Sequence, residues 1–588
     1  MGSSGNSLQA QNDTIRVPLY SEETDRSYTN DYQGQVLVNC FAHVVRNPIT
    51  GDGEVQISKR HGAVPTTLNI STHITSQSTD YDAYLAVYPV TNLYDVYIVA
   101  VKDGASTIRI IQVRPESGTS TLIGSITTSG AGTHKVYFSH GWTGQQPSIN
   151  WTLTVNYVDS DGVTNKAYTA QASGGVFTAS SLAQITAATS PWGSSVNTRG
   201  PILQLNNQWY VAALDGRIYN TGTALPDSSY VSQADTSTSP AQGWNSVLNW
   251  ISSRFPEQFE GMILYKHHLV AFGKTSIQFF NDEGQSIGGG GSPLLPTDQA
   301  LIRFGVLSCN HMLNVDDVLY WIAYGKNGSA GVWRLDGYTP VKISNKNSDD
   351  KLISLFNGGL ANYCYLYTFL LNSKRHVGIG GVDNYSMGYT PVQTDWPSSL
   401  TNAYNVDYCV GMSLIYNIDD KTWWNISLGN NNLIGIHPFT LFNRTNTSSY
   451  LQYFMRADST KVWKFSPEGF SDKDLSGNDV LIPAVIQLNT LDFSTETRKR
   501  LNRVKVIYQG VPSVTSAGTQ YLVLLYNKTS NVSAASYKNR YIDLYQPVFR
   551  YNFNNLGMFR SINLSLINIS DQPFELRALE VNLSQGVH

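Results

Sequence analysis

The chain has 588 residues, with 40 Lys and Arg against 43 Asp and Glu, a net charge of −3, and charged residues make up 14 % of it. Its 12 Trp, 35 Tyr and 21 Phe supply enough apolar surface to offset the entropy of ordering, which excludes a disordered chain. The near-neutral balance excludes a dedicated nucleic-acid binder with a strong positive field, and no run of about 18 apolar residues offers a helical membrane span. At about 100 to 200 residues per domain, the length predicts one large β body with one or two additions.

Residues 1–35 are polar, rich in turn formers and without sustained periodicity, so they read as an extended N-terminal arm that needs a partner to order it. The opening residues lack the charged start and apolar core of a secretion signal. Residues 36–63 read as a hairpin joining the main body. Val36-Leu37-Val38 and Val44-Val45 precede a Pro-Gly turn, and Glu54-Val55-Gln56-Ile57 runs into Lys59-Arg60-His61-Gly62. Residues 64–200 carry short alternating runs such as Tyr84–Tyr88, Val96–Val99 and Trp151–Val155 at intervals of roughly ten residues. This spacing predicts an inserted antiparallel β-sandwich or barrel domain, and the small polar stretch 175–200 suits a linker.

From Pro201 to His588, hairpins recur every few tens of residues. Trp209–Ala212 is followed by Ile218-Tyr219, Leu269–Phe272 by Ile277–Phe280, and Val318–Trp321 by Gly331–Leu335. Leu414–Tyr416 with Trp423-Trp424, and Leu451–Phe454 with Val462–Phe465, continue the series. Two strands about a Gly or Asp turn, repeated at roughly 40 to 50 residues, predict a β-propeller, which leaves few strand edges exposed. The fold class is therefore all-β: a propeller body at 201–588 with C-terminal closing strands, an additional sandwich or barrel, and the arm. One helix is predicted, from about Asn245 to Phe255, where Val247, Leu248 and Ile251 share a face before Pro256.

No catalytic constellation emerges. The eleven His are scattered without a metal-ligand spacing, and no nucleophile elbow or Walker loop occurs, so no catalytic, metal-binding or cofactor-binding residue is assigned and no cofactor is expected. His267-His268 beside an apolar strand reads as one residue facing in and one out. Gly288–Gly291 is followed by Ser292-Pro293, which fits a loop better than a phosphate cradle. Asp316-Asp317, Asp349-Asp350 and Asp419-Asp420 read as turn chemistry rather than as the paired carboxylates of a glycosidase. Cys40, Cys309, Cys364 and Cys409 read as free buried thiols of a reducing compartment. One dense basic stretch, Arg498, Lys499, Arg500, Arg503 and Lys505, is the candidate site. It reads as a solvated turn, a subunit contact or a DNA-facing phosphate contact.

Three stretches together carry a resemblance: the hairpin ending in Lys59-Arg60-His61-Gly62; Phe272–Phe280 with Phe304-Gly305-Val306 and Val318–Trp321; and the end, where Arg550 and Arg560 precede Ile562–Leu566, Pro573–Leu576 and Ala578–Val581. In content and order they resemble the tail hub, or nozzle, proteins of short-tailed bacteriophages (podoviruses), also called packaged-DNA stabilisation proteins. The resemblance spans roughly 36–62 and 200–585, and Gln278 and His61 depart from it. It implies a virion structural protein made in the bacterial host cytoplasm and built into the phage tail as a homohexamer. The implied partners are the portal-adaptor (head-to-tail connector) proteins, a tail fibre or tailspike and a tail needle or tip. The ring would form the lower part of the DNA channel, with transient non-specific contact to packaged dsDNA, genome retention and conduction during ejection, and no catalysis. The alternative reading is a phage receptor-binding β-propeller that binds or cleaves carbohydrate, with Trp423-Trp424 as the pair to stack on sugars.

Overall fold

A computed structural model of the chain describes residues 13–20, 36–46, 53–76, 83–130 (except 91 and 94), 132–143, 150–186, 190–192, 196–221 (except 207), 244–251, 257–282, 293–325, 330–357, 361, 364–371, 374–380, 413–426, 436–438, 453–456, 459–466, 469–488, 491, 498–509, 521–528, 538–544 and 550–585. Nearly all the described elements are strands, as the alternating patterns require.

Seven antiparallel blades stand in chain order among these residues. Blade 1 is Tyr84–Pro89, Tyr97–Lys102, Thr107–Arg114 and Thr119–Thr127. In blade 2, Lys135–Thr143, Asn150–Val158 and Asn165–Ser173 are completed by the short Val176–Phe177 and Ala183–Gln184, both on the third strand. Blade 3 is Thr198–Leu205, Gln208–Ala213, Arg217–Thr221 and Trp244–Ile251, and blade 4 is Phe259–Tyr265, His268–Gly273, Ile277–Asp282 and Leu294–Ile302. Blade 5 is Met312–Val315, Val318–Tyr324, Ala330–Asp336 and Thr339–Lys342, and blade 6 is Tyr365–Leu371, Lys374–Gly380, Ser413–Asn417 and Thr422–Ile426. Blade 7 has Ile436–Pro438, Tyr453–Arg456 and Lys461–Phe465. Its fourth strand comes from the other end of the chain: Ala63–Asn69 pairs with Lys461–Phe465.

The ring is closed. The first strand of each blade lies beside the first strand of the next, and that of blade 7 lies beside that of blade 1. An apolar core fills each gap. Ile98, Ile110, Val155 and Tyr168 join blades 1 and 2, and Leu203, Ile218, Phe259 and Leu269 join blades 3 and 4. Leu68, Tyr97, Val99, Met455 and Val462 close blade 7 onto blade 1. Each fully buried Ile, Leu or Phe contributes about 1.5–3 kcal/mol of transfer free energy. Gly200 shows how tightly inner strands meet: at φ +74° it takes a conformation suited to glycine, and a Cβ there would lie 2.8 Å from the Gly261 backbone of the next blade.

Both chain ends build the second body, a β-sandwich. One sheet orders Cys40–Arg46, Gly53–Lys59, Glu575–Gln585, Lys499–Gln509 and Arg550–Phe559, and Asp13–Val17 adds beside residues 579–583. The other continues from blade 6: Thr422–Ile426 meets Val36–Val38 in a parallel bridge, followed by Asp479–Gln487, Asn563–Ser570, Tyr521–Asn527 and Lys538–Asp543. Val504, Val506 and Phe553 from the first sheet and Leu522, Leu524 and Leu566 from the second share a core with Trp424 and Trp463 of the propeller.

The propeller and the additional sandwich agree with the predicted fold class, but three placements are corrected. Residues 64–200 hold the closing strand of blade 7 and blades 1 and 2 rather than an inserted domain, because their sheets bury their faces against neighbours in the ring. The stretch 175–200 is no linker; it completes blade 2 and begins blade 3. The C-terminal strands from 479 onward do not close the propeller. The strand 63–69 does, so the stretch 36–63 passes from sandwich to ring. The predicted arm is seen at 13–20, where it is extended but pairs with its own chain; 1–12 and 21–35 lie outside the described residues.

The helix predicted at 245–255 is a strand over Trp244–Ile251, since the ladder with Arg217–Thr221 outweighs a weak local preference. The α-helix among the described residues is Lys346–Asn357, begun by a capping box. Asn345 Oδ1 accepts from the Ser348 N–H at 3.0 Å, and Ser348 Oγ accepts from the Asn345 N–H at 3.0 Å. Leu352 and Phe356, one turn apart, bury against blades 5 and 6. No helix among the described residues is long and apolar enough to cross a membrane.

Candidate functional site

The stretch Lys59-Arg60-His61-Gly62 is the joint between the two bodies, and it is built from buried charge. Arg60 is fully buried and grips Asp472 with both ends of its fork, Nη1 to Oδ1 at 2.9 Å and Nη2 to Oδ2 at 2.7 Å. Its Nε donates to Asn39 Oδ1 at 2.8 Å, and Asp472 Oδ1 also accepts from the Ala63 N–H at 2.8 Å. Such a pair holds only while every partner is present, because each charge has lost its water. Lys59, equally buried, donates to the Ser570 carbonyl, and burial pulls its ammonium down to about 7. Gly62 leaves no room for a side chain: a Cβ there would sit 1.8 Å from the Ser471 carbonyl oxygen.

Blade 6 and the helix are stitched to this joint. Asn39, at φ 55°, donates its N–H to the Asn425 carbonyl at 2.7 Å. Asn425 Nδ2 donates to the Leu37 carbonyl at 3.0 Å, and its Oδ1 accepts from Lys351 Nζ of the helix at 3.0 Å. None of Asn39, Asn425, Lys351 or Asp472 is singled out by the sequence reading. The spacing that would reveal them does not exist, since they come from a bend, two separate strands and the helix.

The candidate basic residues lie on or at the start of the sandwich strand Lys499–Gln509, not in a turn. The pleat separates them. Lys499 is buried on the core side with Leu501, Val504 and Val506, while Arg498, Arg500 and Arg503 are exposed on the outer face. Lys505 is half-buried and pairs with Glu580 at 2.7 Å. Two further cations approach from the other sheet. Lys528 Nζ lies 5.7 Å from the Tyr526 ring, and a Cβ on Gly557 would come within 2.4 Å of that Nζ. Burial, then the charge of Lys538, lowers the Lys528 ammonium below the usual lysine range.

The remaining candidates resolve into structure. Trp423 and Trp424 are 8 % and 1 % exposed, with Trp423 Nε1 donating to the Ile343 carbonyl at 2.9 Å, so neither presents a face to a sugar. His267 and His268 stand at a hairpin turn; His267 is exposed and His268 meets Tyr338 Oη at 2.8 Å, so neither faces the core. Asp316 and Asp317, at φ 50° and 59°, form the hairpin turn of blade 5, and Asp419-Asp420 also lies in a turn, whereas Asp349-Asp350 sits in the helix. Gly288–Gly291 and Cys409 lie outside the described residues, and Cys40, Cys309 and Cys364 are buried thiols outside any disulfide. Among the described residues, no three His, Cys, Asp or Glu gather as a metal site requires.

A family model described as Bacteriophage P22 Gp10, beta-propeller, of the phage-stabilisation family, matches residues 211–375, from the second strand of blade 3 to the start of the second strand of blade 6. No curated protein matches the chain. Among solved structures, a putative 6-phosphogluconolactonase from Bacteroides fragilis has 9 % identity and a TM-score of 0.32, covering 68 % of this chain and 92 % of its own. A Lactobacillus plantarum protein has 8 % identity and a TM-score of 0.27, covering 60 % of this chain and 93 % of its own. The aldose sugar dehydrogenase of Streptomyces coelicolor has 12 % identity and a TM-score of 0.23, covering 53 % of this chain and 92 % of its own. Likenesses so slight bear on neither fold nor function. Residues 211–375 match the β-propeller model of the phage-stabilisation family, and this match supports a structural protein of a phage tail.

Proposed function

We propose that this tail protein is the nozzle: a non-enzymatic ring of six copies beneath the portal-adaptor proteins, forming the lower part of the DNA channel, retaining packaged DNA and conducting it at ejection. The family match over the propeller is the observation that carries this reading. The build of the joint supports it, since a conduit under load needs its two bodies held as one piece, and a buried bidentate pair with close backbone approach at Gly62 resists shear. A tail fibre or tailspike and a needle or tip protein are its further proposed partners, and synthesis in the host cytoplasm accords with three buried thiols outside any disulfide. A channel that must release its DNA is served by a low net charge, because each neutralised phosphate adds affinity through counterion release. The carbohydrate-binding alternative loses its anchor with the burial of Trp423 and Trp424.

Electron microscopy of the full chain, alone and mixed with an adaptor ring, tests the reading. Six-fold rings with a central opening are expected in at least one sample. Trimers, or no ring with any adaptor, would overturn it in favour of a receptor-binding role.

A further inference from the structure

Charge is distributed unevenly along this chain. Between 480 and 588 there are eleven Lys and Arg against six Asp and Glu, a balance of +5 in a chain whose total is −3. The excess is gathered on one part of the sandwich. Arg498, Arg500 and Arg503 face outward from one strand. Met558, 44 % exposed, stands opposite Arg500 on the next strand, and Asn554 stands opposite Arg503. No ion pair joins Arg498, Arg500 or Arg503 to a carboxylate among the described residues; Glu580 is taken by Lys505, and Glu575 stands 3.6 Å from Arg577. Like charges gathered on one face repel one another, and a polyanion relieves that cost.

We propose that this face grips the phosphate backbone of packaged duplex DNA without reading bases. The inference rests on the nozzle reading and names the surface that would meet the DNA. Arg500 and Arg503 are three residues apart on a strand, about 10 Å, the length over which one DNA strand presents about three phosphates. Guanidinium forks match phosphate oxygens, and the uncharged Asn552 and Asn554 on the neighbouring exposed positions are further donors of the kind that position a backbone. A second copy of this chain is the less fitting occupant, since a permanent subunit interface centres on apolar side chains and this face centres on Arg and Asn. Few cations mean a weak grip, which retains DNA yet lets it move.

The test is anisotropy of the full-length protein with a short random-sequence duplex, comparing the wild type with an Arg498→Gln, Arg500→Gln, Arg503→Gln variant and with Arg217→Gln as a control outside the face. About three phosphate contacts predict an affinity that falls about 40-fold between 50 and 200 mM salt. The triple variant should lose most of that dependence and the control should keep it, with unchanged melting for both. A variant whose salt slope equals the wild type's overturns the proposal, as does wild-type binding without salt dependence. A variant that changes the oligomeric mass while leaving DNA affinity intact also overturns it and identifies a contact between copies. Ring formation on the adaptor is scored in parallel: six-fold rings with an unaltered slope refute the DNA face alone, whereas a lost slope without rings refutes the nozzle alone.

Discussion

Replacing Asp472 with Ala removes the counter-charge from a guanidinium that has no access to water. Asp472 accepts hydrogen bonds at 2.9 and 2.7 Å from Arg60 and at 2.8 Å from the Ala63 N–H, and the two side chains are 1 % and 3 % exposed. Stranding one member of a buried pair costs about 3–5 kcal/mol, and an orphaned buried N–H adds about 1–3. These terms are not additive, so the expected loss is about 5 kcal/mol. Urea unfolding followed by tryptophan fluorescence reads it directly, because Trp424 and Trp463 lie in the core that sandwich and propeller share. The companion Arg60→Met, Asp472→Leu variant removes both charges and should regain most of the loss. A loss under about 1 kcal/mol for Asp472→Ala, or a double variant as weak as the single one, would refute the view that this pair pins the bodies together.

Lys59→Met should flatten a pH dependence: with its folded pKa at about 7 and its ordinary value at 10.5, the unfolded chain binds more protons between these values, so stability rises with pH across that window and is flat below it. Comparing wild-type and variant melting from pH 7 to 9 checks this, and parallel curves would contradict it. Burial holds His140 and His311 at about 4 and His376 at about 3, so the unfolded chain protonates first as pH falls below 6.5. Stability should drop between pH 6.5 and 4 at up to about 4 kcal/mol per pH unit, and a melting temperature constant from 6.5 to 5 would exclude that account. Trp321→Ala, at a fully buried site, should cost about 3–5 kcal/mol. Trp333→Ala, at a half-buried ring stacked 4.5 Å from Phe304, should cost about half as much, and equal losses would contradict the assigned burial.

Local pattern made the hairpins legible, and the strands at 268–273 and 277–282 fall where Leu269–Phe272 and Ile277–Phe280 alternate. Pairing across hundreds of residues was not legible, because a strand's period states that one face is buried and says nothing about its neighbour. Blades 1 and 2 therefore read as a separate domain, and strand 63–69 was not recognisable as the partner of 461–465. The capping box Asn345-x-x-Ser348 was present as a helix signal, whereas Val247, Leu248 and Ile251 fit a helix face as well as a strand. For the site, Arg500 and Arg503 were visible as a charge cluster, and alternation alone would have sent Lys499 inward.

The seam at blade 7 sets a timetable for the newborn protein. Its closing strand is among the first segments made, yet the partner at 461–465 emerges about 400 residues later, roughly 20–80 s at bacterial elongation rates of about 5–20 residues per second. Until then the early segment waits with its hydrogen-bonding edge unoccupied, and the sandwich strands at 499–509 and 575–585 arrive later still. A chain truncated anywhere before 461 is therefore left with an open ring and no second body. The latch therefore ties completion of both bodies to synthesis of the chain's last strands.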